Sequence, residues 1–314
     1  MTTLSLIIPV FNEDDAIRPF LDRMAQLRSQ FEVELGSPAK LEFIFVNDGS
    51  LDNTRSTLEH LCRNQAEIKV INLSRNFGKE AALSAGMHHA SGDAVIPIDV
   101  DLQDPPQIIV EMIRRWKQGA QVVNAKRVDR SSDGLFKRGT ANLFYSILEK
   151  IADQPVHAHV GDFRLLDRQA VEALNQLNEN TRFNKGLFSW IGFKVAEVEV
   201  VRPPRENGTT KWKPTKLWSL ALDGVTSSST LPLRIWTYLG ASIAFLAFLY
   251  AGALIVYTLI TGGDMPGYAS IMVAVLFLGG LNLLSLGLIG EYLGRIALEV
   301  RRRPLYIIES KEGF

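Results

Sequence analysis

Along roughly the first 200 residues, short runs of β-branched and aromatic residues alternate with longer segments whose apolar positions recur at helical spacing. The runs LSLIIPV, LEFIFVND, IKVINLS and DAVIPIDVD read as strands. Between them, Ala16–Phe31 and Thr54–Asn64 carry one apolar face and read as amphipathic helices. Gln107–Gln118 reads as a further helix, with Asp104 as its N-cap and Pro105 and Pro106 in the first turn. Strands separated by helices need crossover connections, so the pattern predicts βαβ units on a mostly parallel sheet, an α/β domain.

After about residue 230 the pattern changes. Ile235–Ile260 and Tyr268–Gly290 hold no charged residue, and between Arg234 and Glu291 only Asp264 is charged. Stretches of about 26 and 23 residues are long enough to cross a hydrocarbon core of roughly 30 Å, so both are expected to be transmembrane helices. Lys211, Lys213, Lys216 and Arg234 flank one end, and Arg295, Arg301, Arg302 and Arg303 the other, while the loop TGGDMPG has no Lys or Arg. The positive-inside rule places both ends in the cytoplasm, giving a helical hairpin in the inner (plasma) membrane. The expected layout is a catalytic domain over 1–212, an interfacial amphipathic segment over 213–233, the hairpin over 234–294 and a cytoplasmic C-terminal tail over 295–314.

Composition adds two exclusions. With 34 basic and 34 acidic side chains, the chain has no net field to attract nucleic acid. One cysteine, Cys62, excludes an internal disulfide framework and reads as a small buried hydrophobe. The N-terminal MTTLSLIIPV has no basic leader before a cleavable apolar segment, so the first domain is expected to stay cytosolic.

Each predicted strand stops in polar groups: Asn12-Glu13, Asn47-Asp48-Gly49-Ser50, Ser74-Arg75-Asn76 and Asp99-Val100-Asp101. In open α/β sheets, ligands bind beyond the carboxyl ends of the strands, so these ends point to one crevice. Neither GxGxxG nor GxxxxGK[ST] occurs, which removes the usual glycine-rich phosphate cradles. In extended backbone, residues i and i+2 share a side, so Asp99 and Asp101 can converge on a hard divalent cation, Mg²⁺ or Mn²⁺, with Gln103 near it. Two buried like charges without a cation would be costly, which favours that reading.

In their order, SLIIPVFNE, VNDGSLDNT, SRNFGKEAA, IDVDLQDPP and GDFRLLDR, followed by a membrane hairpin, resemble the family-2 glycosyltransferases that act on polyprenyl phosphates. The likeness is greatest to undecaprenyl-phosphate glucosyltransferases of the GtrB type, with dolichyl-phosphate mannose synthases further off. The resemblance implies a GT-A domain, a nucleotide-sugar donor (UDP-glucose expected, GDP-mannose the alternative), a divalent metal at the Asp-x-Asp and inversion at the anomeric carbon. Pro9, Phe11, Asn12 and Glu13 would line the nucleoside pocket, and Asp48 would contact the base or ribose. Asn76 and Lys79 would lie near the nucleotide, and Asp99, Asp101 and Gln103 would form the metal and diphosphate site. Read from the residues alone, Asp48 also fits a structural Asx turn and Lys79 a solvated surface charge. Where relatives often place a Phe, this chain has Thr226-Ser227-Ser228-Ser229-Thr230.

The acceptor implied is a polyprenyl phosphate. Already anionic at neutral pH, it needs cations and orientation more than a general base. Arg138, Arg164 and Lys137 are candidates to clamp it. Asp162 is the residue that the family would make catalytic, as base, as metal-linked carboxylate or as the partner orienting Arg164. Leu135–Ile151 and Pro214–Leu222 carry apolar faces suited to the headgroup plane, and Arg202–Lys213 reads as a loop able to close over a substrate. His157 and His159 read as loop residues. Self-association is compatible with two spans per chain. A processive polysaccharide synthase would add a QxxRW motif and more spans, and a nucleotide-binding scaffold or transport subunit would turn over no donor.

Overall fold

A computed structural model of the protein describes residues 2–127, 160–177, 187–188, 190–200, 231–261 and 267–314. Lys137, Arg138, His157, His159, the 135–151 and 214–222 segments, the 202–213 loop and the 226–230 run lie outside the described residues.

The elements begin β1 (Thr2–Val10), α1 (Asp14–Leu35), β2 (Ala39–Asn47), α2 (Thr54–Asn64), β3 (Ile68–Leu73), α3 (Lys79–His89), β4 (Ala94–Pro97) and α4 (Ile108–Lys117). They continue with β5 (Val122–Arg127), β6 (Val160–Asp167), α5 (Arg168–Gln176), β7 (Val195–Val200), α6 (Leu231–Thr261), α7 (Tyr268–Val300) and β8 (Ile308–Glu312). All eight strands form one sheet in the order β7-β5-β6-β4-β1-β2-β3-β8. The pairs β1–β2, β1–β4, β2–β3 and β5–β7 are parallel, whereas β6 runs antiparallel to β4 and β5, and β8 antiparallel to β3. The α/β class with a mostly parallel sheet is the one expected. α4 begins at Ile108 with no side-chain cap bond from Gln107, and Asp104 is buried ahead of it rather than at its cap position.

Helices cover both faces of the sheet, which is why its central strands are apolar in near-continuous runs. On one face α1 buries Ile17, Phe20, Met24, Leu27 and Phe31, spaced three or four apart, with α2 and α4 against the same layer. On the other lie α3 and α5, packed on Ile7, Ile44, Val46 and Leu166. α3 approaches β1 closely because its sequence, KEAALSAGMHH, is poor in bulk: a Cβ on Gly86 would come 2.2 Å from Ile7 Cγ2. That close seating sets the height at which the start of α3 meets the strand ends.

The chain divides into two compact units, Met1–Trp218 with Arg303–Phe314, and Ser219–Arg302. The second unit holds α6 and α7, of 31 and 33 residues. Among the described residues, no helix is long and apolar enough to cross a membrane; several side chains along α6 and α7 are outside the description. Residues 308–312 are more than a tail: β8 pairs with β3 at the edge of the sheet, with Asn72 opposite Ser310.

Candidate active site

The carboxyl ends of β1, β2, β3 and β4 surround an open pocket of about 400 Å³. Of the residues singled out in the sequence, Pro9, Phe11, Glu13, Asp48, Asn76, Lys79, Asp99 and Asp101 line it, joined by Val10, Gly78, Ala82 and Val100. Asn12, Gln103, Asp162 and Arg164 are not on its wall.

The turns that carry these residues are built by side-chain to backbone bonds. Asn47 Oδ1 accepts from Ser50 N at 3.0 Å, the Asx turn expected of Asn-Asp-Gly. Gly49, at φ 71°, lies against the next strand end: a Cβ there would meet Arg75 C at 2.5 Å and Asn76 N at 2.6 Å, so only glycine lets the two loops touch. Asp48 is buried, and its two oxygens accept from Phe77 N at 2.7 Å and Gly78 N at 2.9 Å. Burial raises its pKa, opposed by those two amides and by Arg75. Asn12 has φ 56°, a left-handed conformation that Asn tolerates; its Oδ1 accepts from Leu51 N at 2.8 Å and its amide donates to Ser50 Oγ at 3.0 Å.

Asp99 and Asp101 lie beyond the end of β4, in a turn, so strand alternation does not bring them together. Both line the pocket from that turn, in which Gln103 N donates to Asp101 Oδ1 at 3.1 Å and Leu102 stands at φ 57°. A left-handed leucine is strained, and strain of that kind concentrates at functional sites. Gln103 thus takes part through its backbone, shaping the turn.

Lys79, the first residue of α3, is the centre of the charge network. Its Nζ lies 2.7 Å from Asp99 Oδ1, 2.8 Å from Asp99 Oδ2 and 3.1 Å from Asp162 Oδ2. Partial burial works to lower its pKa, but Asp99 and Asp162 outweigh it and hold the ammonium firmly charged. Glu13 shows the opposite field: partial burial, then Asp101 and Asp99, raise its carboxyl. Negative charge therefore exceeds positive around Glu13 and Asp101.

Arg164 lies on β6 two residues from Asp162, so both project to one face. Its side chain is buried, with Nη2 donating to Gly161 O at 2.6 Å and the guanidinium 3.6 Å from the Phe188 ring centroid. Burial pushes its pKa down to about 10, against the pull of Asp162 and Glu80. In this arrangement the guanidinium is covered, so it presents no face to a lipid phosphate. Its neighbour Asp162 reaches Lys79 instead, a pairing across the sheet that no local pattern announces.

Residues 5–174 match the model of glycosyl transferase family 2, and residues 231–296 that of the GtrB C-terminal hairpin. The chain belongs to glycosyl transferase family 2. This glycosyltransferase is 48% identical to an SfII prophage-derived bactoprenol glucosyl transferase of Shigella flexneri, over 98% of this chain and 97% of the relative. It is 47% identical to an uncharacterised glycosyltransferase of Synechocystis, over 99% and 96% of the two chains. A prophage bactoprenol glucosyl transferase homolog of Escherichia coli K12 is 46% identical over 98% of each. As a family-2 enzyme the protein is a glycosyltransferase with a GT-A-like α/β fold.

Proposed function

We propose that the enzyme transfers glucose from a nucleotide sugar, with UDP-glucose as donor, to polyprenyl phosphate at the cytoplasmic face of the membrane, inverting the anomeric carbon. The observation that carries this reading is the pocket itself: Asp99 and Asp101 beside Glu13, with the Lys79 ammonium and the Asp48-held loop around them. The name of the Shigella flexneri relative, which aligns over nearly the whole of both chains, supplies the sugar and the lipid.

A divalent cation fits this site chemically. Asp99, Asp101 and Glu13 offer hard oxygen donors, and the field that raises Glu13 is one a cation would relieve. Among the described residues, no group of three His, Cys, Asp or Glu side chains is placed to hold a metal alone. An ion on Asp99 and Asp101 would therefore share its shell with water and the donor diphosphate, as Mg²⁺ and Mn²⁺ do. Bound there, it supplies positive charge to the departing diphosphate.

The chain's own residues bind and orient. The pocket wall at Pro9, Phe11 and Asp48 takes the nucleoside, and Lys79 brings a fixed positive charge to the side where the diphosphate leaves. An ionised lipid phosphate attacks without surrendering a proton, so Asp162 serves as the anchor that, with Asp99, holds Lys79 in place. Lys137 and Arg138 remain the candidates to grip the acceptor.

Membrane seating is supported by the lengths of α6 and α7, which at 1.5 Å per residue run about 46 and 50 Å, and by the charge-free stretches Ile235–Ile260 and Tyr268–Gly290 within them. The basic flanks support the cytoplasmic orientation. Membranes from cells expressing the protein, given radiolabelled UDP-glucose, polyprenyl phosphate and Mg²⁺, should yield an organic-extractable, mild-acid-labile glucolipid. Donor left unconsumed would mean a nucleotide-binding protein instead, and product formed only from GDP-mannose would change the sugar.

A further inference from the structure

We propose that Ser310, in the C-terminal strand that follows the hairpin, is a positioning residue for the donor pocket. This rests on the reading of that pocket as the nucleotide-sugar site. Ser310 is not on the wall of that pocket. It acts through a chain of side-chain amides that begins where β8 meets β3.

Ser310 Oγ accepts from Asn72 Nδ2 at 3.0 Å. Asn72 is buried, and its Oδ1 accepts from Asn47 Nδ2 at 2.9 Å. Asn47 is also buried, and its Oδ1 accepts from Ser50 N at 3.0 Å, which closes the turn bearing Asp48 and Gly49. Ser50 Oγ in turn takes the amide of Asn12, next to Glu13. Ser50 N can only donate, so Asn47 turns its oxygen to that amide and its nitrogen to Asn72, whose own nitrogen then points at Ser310, the hydroxyl that supplies its acceptor.

The residue just before the same strand supports the opposite loop. Ser74 N donates to Ile307 O at 2.9 Å, fixing the start of the Ser74–Asn76 segment that Gly49 touches from the other side. Two of the loops that frame the nucleoside, Asn47–Ser50 and Ser74–Asn76, are thus braced by residues 307 and 310. Without the Ser310 hydroxyl, the buried Asn72 amide nitrogen loses its acceptor, and a turn of that side chain frees Asn47.

The test uses full-length enzyme in detergent, with UDP binding followed by calorimetry and initial rates followed against UDP-glucose. Loss of one such bond corresponds to an effect of about five-fold. Ser310→Ala should raise the donor KM and the Kd for UDP by about that factor, with kcat near the wild-type value, and Ser310→Thr should restore both. Arg55→Ala is the control: it removes another β8 contact, the 2.9 Å ion pair to Glu309, outside the amide chain, and should leave donor KM unchanged. Ser310→Ala protein that folds and binds UDP as the wild type does overturns the assignment. An equal KM rise in Arg55→Ala also overturns it, because any loosening of β8 would then suffice. A wild-type enzyme that binds no UDP and uses no UDP-glucose overturns the donor-pocket reading beneath it.

Discussion

Lys79 Nζ stands 3.1 Å from Asp162 Oδ2 and 2.7 Å from Asp99 Oδ1, so one ammonium ties the start of α3 both to β6 and to the loop after β4. The three groups come from three separate segments, and none of them is adjacent to another in sequence. Their meeting point is where the charge on a leaving diphosphate would have to be managed.

Asp162→Asn keeps the shape of the side chain and removes its charge. Lys79 then keeps one ion pair, to Asp99, and its second anchor falls to an uncharged, weaker one. Steady-state rates should show kcat lower by on the order of 100-fold, with the donor KM little changed. A variant with normal kcat and a raised donor KM would place Asp162 in donor binding instead.

Chelation should abolish transfer, and Mg²⁺ or Mn²⁺ should restore it. Asp101→Asn removes one hard donor from the acidic cluster, so the metal concentration for half-maximal rate should rise by on the order of ten-fold or more. Relief of the crowding around Glu13 should accompany it, since Asp101 helps to raise that carboxyl. Full activity in excess chelator would end the metal reading.

For Arg164 the expected phenotype is loss of stability. Removing the guanidinium leaves Gly161 O without its donor and a gap over Phe188, in a place with almost no access to water. Arg164→Ala should lower unfolding stability by about 2–4 kcal/mol, read from chemical or thermal melts in detergent. Unchanged melting with a raised KM for the lipid would return Arg164 to the role of phosphate clamp.

Acid stability should depend on Glu42, a buried carboxylate on β2. Burial alone would raise its pKa, but Lys69 at 2.6 Å, the Ser5 hydroxyl and both the hydroxyl and amide of Ser91 hold it at about 2. A depressed carboxylate stabilises the fold above its ordinary value of 4.5, and that contribution fades as pH falls from there towards about 2. The contribution is on the order of 3 kcal/mol at neutral pH. Glu42→Gln should melt earlier at pH 7 and show a flatter decline between about pH 5 and 2. Identical acid limbs for the two proteins would rule this out.

The parts of this site visible in the sequence are those set by local chemistry. The apolar run before Asp99 marks a buried strand, and the polar groups at the ends of β1 to β4 mark the ligand side of the sheet, because parallel topology brings those ends together. Asn47-Asp48-Gly49 announces its turn for the same reason. What could not be read depends on distant packing. Whether Arg164 is covered by Phe188 or faces a phosphate is decided by a residue far along the chain. Lys79 reads as an ordinary surface lysine until β6 sets Asp162 beside it. The segment IESKE looks like a charged tail because only alternate residues are partly buried, as suits an edge strand covered on one face.

Because IESKE follows both long helices in sequence, the outer edge of β3 stays bare while they are being made. Until β8 is made, the nascent domain carries an exposed row of peptide groups along β3. Maturation of the catalytic sheet is in this way ordered after synthesis of the hairpin, and a chain stopped before β8 should emerge as a sticky, incompletely zipped intermediate rather than as a free-standing enzyme.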